Sequence, residues 1–340
     1  NNKLTLAKAD LPRDQIVIDG GDGTDTVVVV DLTGTADRPA MSNVETLDLD
    51  LTTGTANVAL NLVDAGGITT IELDLDSTDE NFTVSNASNV TAYKVEAAAA
   101  ATSDIITLGS SATLALSNTN AVLGDNNTSL VTPDATDLTV KVGKSTANVS
   151  TSAIDLTTLT AAKATDVTVG GQDATAAGVA YVGKIDIGTL SAAKATTLTV
   201  DADQGQVTIP ALSTAKLATV NISGDNTVNL GSAASTTVIS TVSAGSATGA
   251  ITLGQALDFA SNASVTTGTG NDTLSLDILT EGTTTVDMGE KASDTDNLKL
   301  FGAANMGLTV VNLGAADQIS QLNGSVDSVS QTGIENLDAS

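Results

Sequence analysis

A repeat of about 22 residues, a length typical of solenoid coils, is the feature that most restricts the fold of this 340-residue chain. The segment that begins at Leu190 reads Leu-Ser-Ala-Ala-Lys-Ala-Thr-Thr-Leu-Thr-Val, and a similar segment begins one repeat later at Leu212. An earlier copy begins at Leu159, further from Leu190 than one repeat, as if that repeat carried an insertion. The spacing that separates Leu190 from Leu212 also separates Ile71 from Tyr93. Short repeats of this kind, made of strands and turns, are typical of the coils of a β-solenoid.

Local patterns along the chain indicate strands. Apolar and polar residues alternate over short runs such as 44–51, 71–75 and 138–142, and Gly, Asn, Asp and Ser bound these runs. A period of two between turn residues is typical of β-strands. The only helix candidates are Ala97 to Ala101 and the Ala-Lys segments of the repeat. We therefore predict an all-β chain that forms an elongated parallel β-solenoid with coils of about 22 residues.

Composition agrees with a narrow interior. Aromatic residues make up 1% of the chain, whereas the whole apolar class reaches 41%. Val, Ile, Leu and Ala must then fill the core, and we expect an aromatic ring to fit there only rarely. Lys163, Lys194 and Lys216 occupy equivalent positions of the repeat. We interpret these lysines as a solvated stripe that discourages sideways pairing of strands.

Charge and missing residue types exclude several kinds of site. The chain has no Cys and no His, so thiolate chemistry and the usual ligands of zinc and copper are absent. Forty acidic and thirteen basic residues give a net charge of −27. This balance argues against nucleic acid or an anionic membrane as a partner, and no apolar run is long enough for a transmembrane helix. The acidity either favours divalent cations or simply keeps the protein soluble.

Two glycine- and aspartate-rich motifs are the candidate metal sites. Residues 20–28 match the nonapeptide G-G-x-G-x-D-x-U-x, and residues 267–275 match it without the first glycine. Glycine permits a turn that exposes carbonyl oxygens, and aspartate adds the hard oxygen ligands that calcium prefers. A solitary motif can equally be just a hairpin-like turn, and Asp48 or Asp50 of a neighbouring coil are candidate partners. The residues that we predict as calcium ligands or turn glycines are Gly20, Gly21, Asp22, Gly23, Asp25, Gly268, Gly270, Asn271, Asp272, Asp294 and Asp296.

The first motif is followed, at residues 42–49, by the segment Ser-Asn-Val-Glu-Thr-Leu-Asp-Leu. Together these two segments resemble the repeat-in-toxin (RTX) type S-layer proteins of Gram-negative bacteria. A related Gly-Ile-Glu-Asn-Leu-Asp element occurs at 333–338. The resemblance implies type I secretion, calcium-dependent folding outside the cell and assembly into a surface lattice. It also suggests three parts: an RTX-like start (1–50), an aliphatic solenoid (51–264) and an RTX-like calcium-associated segment (265–340). The chain differs from that family in having few nonapeptides and no tandem array of them.

Three functions follow as hypotheses. The first is a secreted S-layer subunit that self-assembles into a lattice. A region outside this chain would attach it to cell-surface polysaccharide. The second is the stalk or repeat module of a large secreted adhesin. The third is a polysaccharide-cleaving enzyme, which we reject because the chain lacks His and Trp and has Arg only at positions 13 and 38.

Overall fold

The computed structural model is an all-β parallel β-solenoid with about 23 residues per turn. It describes residues 1–7, 17–30, 32, 38–51, 57–75, 81–97, 105–118, 128–145, 154–172, 179–180, 183–233, 238–278, 282–289, 295–302, 306–311, 318–322 and 326–332. Within these ranges no residue is helical, and no helix is long and apolar enough to cross a membrane. The predicted fold class is therefore confirmed, with a coil slightly longer than the sequence repeat.

Thirty short strands account for most of the described residues. In chain order they are β1 (Lys3–Ala7), β2 (Ile18–Asp19), β3 (Thr26–Val30), β4 (Met41–Ser42), β5 (Thr46–Asp50), β6 (Val58–Asn61), β7 (Thr70–Leu75), β8 (Asn81–Ser85), β9 (Ala92–Ala97), β10 (Ile105–Leu108), β11 (Thr113–Asn118), β12 (Ser129–Val131), β13 (Asp137–Val142), β14 (Lys144–Ser145), β15 (Ile154–Thr160), β16 (Asp166–Gln172), β17 (Val179–Ala180), β18 (Ile185–Ser191), β19 (Thr197–Asp201), β20 (Val207–Ser213), β21 (Thr219–Ser223), β22 (Val228–Ala233), β23 (Ile239–Ser243), β24 (Ile251–Thr266), β25 (Thr273–Ile278), β26 (Gly282–Asp287), β27 (Asn297–Gly302), β28 (Met306–Val311), β29 (Gln318–Leu322) and β30 (Val326–Thr332).

The chain divides into two compact units, which are described separately. Unit 1 comprises residues 1–164 and 172–187, and unit 2 comprises residues 165–171 and 188–340. This division follows contacts within the fold, whereas the three parts suggested by the sequence follow motif content. The three-part division stays a prediction.

Unit 1 contains two parallel ladders, and from β5 onwards the chain alternates between them. Ladder A consists of β1, β3, β5, β7, β9, β11 and β13, and ladder B consists of β6, β8, β10, β12 and β15. A corner turn leads from each ladder B strand to the ladder A strand that follows it, and we call this the B-to-A corner. In addition, β2 pairs with β4 in parallel, and β14 pairs with β17 in antiparallel orientation. Strand β17 belongs to the insertion predicted between Leu159 and Leu190.

Unit 2 repeats this plan. Its ladder A contains β19, β21, β23, the end of β24, β26, β28 and β30, and its ladder B contains β20, β22, the start of β24, β25, β27 and β29. The register agrees with the sequence repeat, because Leu198 pairs with Val220 in neighbouring coils. The turn that leads from ladder A to the next ladder B strand is the A-to-B corner.

The interior is filled by aligned aliphatic side chains, as the alternating pattern predicts. In ladder A of unit 1, Leu47 pairs with Ile71 and Ile71 pairs with Tyr93, and all three are fully buried. Two further rings, Phe82 and Phe259, are also fully buried. The expectation that rings would rarely fit the interior is therefore too strict. Their register partners in the neighbouring coils are aliphatic: Ile71 and Leu116 for Tyr93, Val58 and Ile106 for Phe82, and Ile239 and Ile278 for Phe259.

The Ala-Lys segments are corners rather than helices. Residues 161–164, 192–195 and 214–217 each form a turn with two buried ends and two exposed middle residues. Lys163, Lys194 and Lys216 are each the second exposed residue of such a turn. The equivalence of these lysines is confirmed, whereas the helix prediction is wrong because each tight turn leads directly into the next strand. The other helix candidate, Ala97 to Ala101, begins at the last residue of β9, and its remaining residues lie outside the described ranges.

Hydroxyl side chains connect successive coils at the start of ladder A. In unit 1, the Thr91 hydroxyl donates to the Thr69 carbonyl at 3.3 Å, and the Thr136 hydroxyl donates to the Ala112 carbonyl. In unit 2, Thr196 donates in the same way to the Thr165 carbonyl at 3.2 Å. The high threonine content thus has a structural cause at these corners, because each hydroxyl supplements the backbone bonds between coils.

Candidate metal site

The two glycine-aspartate motifs lie at different corners of the coil. Residues 20–25 join β2 to β3 and stack in line with the B-to-A corner of later coils, since backbone hydrogen bonds connect Asp25 to Glu45 and Glu45 to Thr69. Residues 267–272 form the A-to-B corner that leads into β25. Both precede a strand, as the nonapeptide pattern predicts. Neither forms a hairpin, because the strands that follow enter parallel ladders.

The glycines of the first motif are required by backbone geometry. Gly21 and Gly23 have positive φ angles of 83° and 123°, which glycine adopts without strain. A Cβ atom on Gly20 would lie 1.9 Å from the carbonyl oxygen of Asn43 in the next coil. Gly20 therefore allows one coil to stack closely on another. The side chain of Asp22, in contrast, lies exposed on the outside of the turn.

Asp25 is the central acid of the first corner. Its side chain is buried, and Oδ1 accepts a hydrogen bond from the backbone N–H of Asn2 in the preceding coil. The N-terminal ammonium of Asn1 lies 3.9 Å from the same oxygen. The other carboxylate oxygen, Oδ2, is buried and has no hydrogen-bond partner among the described residues. A buried carboxylate oxygen without a partner is costly, and a cation would offset that cost.

Glu45 occupies the position one coil after Asp25. The backbone N–H of Asp25 donates to Glu45 Oε2 at 2.8 Å, and the N–H of Glu45 donates to the carbonyl oxygen of Asp25. The sequence analysis offered Asp48 or Asp50 as neighbouring acids instead. Both lie within β5 at register positions that pair with Glu72 and Asp74, beyond the corner. Glu45 could have been found from its spacing, since it follows Asp25 in the sequence by close to one coil.

Asp19 completes the acidic surroundings of the first corner. Its carboxylate accepts hydrogen bonds from the Asn43 side-chain amide at 2.8 Å and from the Gly21 backbone N–H at 3.1 Å. These bonds, that of Asn43 above all, lower the pKa of Asp19 below its ordinary value. Asp19 therefore remains charged at neutral pH and fixes the conformation of the turn.

The second corner has two buried aspartates in successive coils. Asp272 Oδ1 accepts from the backbone N–H of Ile251 at 2.8 Å, and Asp296 Oδ1 accepts from the N–H of Asp272 at 2.7 Å. Asn271 accepts in the same manner from the N–H of Thr295. These side chains therefore connect the backbones of neighbouring coils at this corner.

Close stacking explains the glycines of the second corner. A Cβ atom on Gly268 would lie 1.6 Å from the carbonyl oxygen of Ala247, and one on Gly270 would lie 2.3 Å from that of Gly249. Asp294, which the sequence also proposed as a ligand, lies outside the described residues.

Within the described ranges, no group of three or more acidic residues is arranged to hold a metal ion by itself. Calcium takes six to eight oxygen ligands, so backbone carbonyls and water would have to complete any shell around Asp25. Two hollows in unit 1, of about 410 and 370 Å³, lie elsewhere. The larger is lined by corner residues such as Val63, Asn86 and Asn89, which offer amides rather than an acid-base pair.

Comparisons of the chain with protein-family models, with curated proteins and with solved structures gave no match.

Proposed function

We propose that this chain is a structural subunit of a calcium-dependent bacterial surface layer that assembles into an extracellular lattice. The observation that carries the proposal is the pair of continuous parallel ladders in each unit, whose interior is filled by aliphatic side chains. A fold of this kind has regular outer faces, which can form the same contact with every neighbouring copy in a lattice. The proposal includes secretion to the cell surface and attachment to polysaccharide through a region outside this chain.

Calcium has its best-supported place at the first corner. The buried Oδ2 of Asp25 lacks a hydrogen-bond partner among the described residues, and a second carboxylate, that of Glu45, lies one coil away. Turn carbonyl oxygens at Gly20 to Gly23 would supply neutral ligands. Bound calcium would supply a positive charge that joins the first coils. Asp272 and Asp296 each accept from a neighbouring backbone N–H through Oδ1, as Asp25 does, and their ligand role, with that of Asn271, is part of the same proposal.

A stalk module of a large secreted adhesin is the second candidate. The same ladders favour it, because stacked coils can serve as a spacer as well as a lattice element. The two candidates differ in whether the outer faces make repeated contacts with other copies. Catalysis is not part of either proposal, in line with the absence of His and Cys from the sequence.

Two measurements test the proposal. The purified chain is examined by electron microscopy and by sedimentation velocity, with calcium and with a chelator. Two-dimensional sheets that form only with calcium would support the surface-layer role, and a monodisperse monomer under both conditions would favour the stalk. Unchanged structure and assembly after chelation would remove calcium from the proposal.

The calcium site has its own matched pair of variants. Asp25→Asn removes the buried charge, whereas Asp22→Asn removes an exposed charge from the same turn. Saturating calcium at about 100 times its Kd stabilises a one-site protein by about 2.7 kcal/mol. We expect the calcium-induced rise in Tm to be lost in Asp25→Asn and retained in Asp22→Asn. A calcium-induced rise in Tm that is retained in Asp25→Asn would place the ion elsewhere.

A further inference from the structure

The outer face of ladder A in unit 2 carries two columns of uncharged polar side chains. On each strand, two outward residues flank a buried aliphatic residue, as Thr197 and Thr199 flank Leu198 on β19. Register pairing places the corresponding residues of the following coils in line with them. The first column is Thr197, Thr219, Thr241, Ser264 and Thr285, and the second is Thr199, Asn221, Ser243 and Thr266. We call these nine residues the hydroxyl grid.

The hydroxyl grid is neutral in a chain whose net charge is −27. Acidic residues adjoin its columns only at their ends, where Asp166 precedes Thr197 and Asp287 follows Thr266. In unit 1, in contrast, outward positions of ladder A hold charged residues such as Glu72. A charged partner would find no counter-charge within the grid, so these columns suit a neutral partner.

The hydroxyl groups of the grid are available to a partner, whereas those one position earlier are not. Thr196 and Ser240, at the preceding corner, donate to the carbonyl oxygens of Thr165 and Ala218. The hydroxyls of Thr197 and Thr241, which follow directly, make no hydrogen bond with any residue that the structure describes. Each of them can therefore both donate a hydrogen bond to an external oxygen atom and accept one from it.

The grid repeats in two directions with spacings that the backbone fixes. Neighbouring strands lie about 4.8 Å apart, and alternate residues of one strand lie about 6.6 Å apart. Threonine, the commonest residue of the grid, is also stiff at χ1. A surface whose own hydrogen-bonding groups repeat at similar distances would bind many of these hydroxyls at once, and weak single contacts would add up.

Ice is the repeating surface that fits these features best. Its water oxygens donate and accept hydrogen bonds without carrying charge. The spacing between strands is close to the oxygen repeat in the basal plane of ice, and the spacing along a strand approaches the repeat along its hexagonal axis. A crystalline polysaccharide is also neutral and regular, but sugar rings pack on aromatic side chains, and the grid has none. The centre of an interface with another protein would also be richer in aromatic and apolar residues.

We propose that the hydroxyl grid of unit 2 is an ice-binding surface. The hydroxyls hold water at positions that continue the oxygen lattice, and the threonine methyl groups between them order the water that lies above. Protein adsorbed in this way stops the growth of ice where it is bound, so that growth resumes only at a lower temperature. This activity is independent of the proposed surface-layer function.

Substitutions in the middle of the grid test this surface. Thr219→Tyr and Thr241→Tyr each place a ring between two grid neighbours, and tyrosine is well suited to a strand. The purified chain is assayed in calcium for thermal hysteresis and for retention in a slowly growing ice hemisphere. We expect both effects in the wild type and a loss of at least about tenfold in each variant, because a protruding ring holds the neighbouring hydroxyls away from the ice.

Thr252→Tyr is the matched control. Thr252 is a half-buried threonine on the outer face of ladder B, with Asn229 and Thr273 as register partners. That face lacks a second polar column, because two residues further along β22 and β24 have Gly231 and Gly254. The control should therefore keep the thermal hysteresis and the retention of the wild type. Circular dichroism checks that all three variants are folded.

Each outcome decides the question. Loss in the folded grid variants together with retention in Thr252→Tyr supports the ice-binding surface. Absence of thermal hysteresis and of retention in the wild type, wild-type activity in the grid variants, or an equal loss in the control would overturn it. Wild-type binding to crystalline cellulose or chitin that the grid variants lose, without an effect on ice, would assign the grid to polysaccharide and would also overturn it. None of these results changes whether sheets form with calcium, which tests the surface-layer function separately.

Discussion

The close stacking of corner glycines gives the sharpest test of the coil geometry. In Gly268→Ala the new Cβ atom would lie 1.6 Å from the carbonyl oxygen of Ala247, whereas real Cβ atoms essentially never approach closer than 3.0 Å. The corner must therefore move away from the preceding coil until that separation is restored. The backbone bond from Thr269 N–H to the same carbonyl, now 3.1 Å long, would be lost or stretched.

The expected cost follows from these two effects. Forcing an extra methyl group into a well-packed site costs about 1–3 kcal/mol. Losing a backbone hydrogen bond adds about 1 kcal/mol, so we expect the free energy of unfolding to fall by about 2–4 kcal/mol. Gly66→Ala is the matched control, because its Cβ atom would meet only the Asn89 side-chain nitrogen at 3.7 Å. That variant should stay within about 0.5 kcal/mol of the wild type.

Chemical denaturation in a chelator measures the packing effect without metal. Since stacked coils need not unfold in one step, hydrogen exchange near residues 247–270 should accompany it and show the loss locally. A wild-type stability for Gly268→Ala in the chelator would refute the stacking argument. A loss of stability that appears only when calcium is present would show that Gly268 is needed for ion binding rather than for the stacking of coils.

Three further outcomes are expected. Tyr93→Phe removes the donor to the Gly109 carbonyl, 2.6 Å away in the interior, and should lower the free energy of unfolding by about 1–3 kcal/mol; thermal unfolding at wild-type temperature would contradict this. The raised pKa of Asp48 means that the folded state favours the protonated acid, so this contribution to stability is present below about pH 4 and is lost as pH rises. Asp48→Asn should thus unfold at a higher temperature than the wild type at pH 7, with a gain that disappears below about pH 4; a gain that persists at pH 3 would refute the assignment. Thr196→Val keeps the branched side chain but removes the hydroxyl bond to Thr165, and should cost at most about 1 kcal/mol in denaturation; a higher stability would contradict the role of the hydroxyl.

The ladders could be predicted from the sequence because stacking places the same residue type at the same position of each coil. Ile71 and Tyr93 are one repeat apart in the sequence and are register partners in the structure. Alternation identifies the buried side of each strand, as in β5, where Leu47 and Leu49 are buried. The sequence did not indicate that Tyr93 would point inwards, because the place of a single ring depends on the volumes of side chains in the neighbouring coils.

The corners were less predictable than the strands. A glycine-rich motif specifies a local turn, but the ladder entered by the following strand depends on how many strands and insertions precede it. The motif at residues 20–25 therefore leads into ladder A, while the similar motif at 267–272 leads into ladder B. Glu45 was missed as the neighbour of Asp25 for the same reason, since uneven coil lengths obscure which residues stack.

The position of Asp25 limits how far any effect of calcium can extend in unit 1. Asp25, Glu45, Thr69 and Thr91 follow one another at the same corner position, each connected to the preceding one by backbone hydrogen bonds. The column changes from carboxylates to hydroxyls after Glu45, and the Thr69 hydroxyl already donates to the Glu45 carbonyl. A threonine hydroxyl that donates to a backbone carbonyl carries no charge, so it cannot attract a divalent ion as the carboxylates of Asp25 and Glu45 would. We therefore expect chelation to speed hydrogen exchange at residues 20–46 and to leave the corner at Thr91 unchanged; equal acceleration at both corners would mean that the ion organises the whole unit.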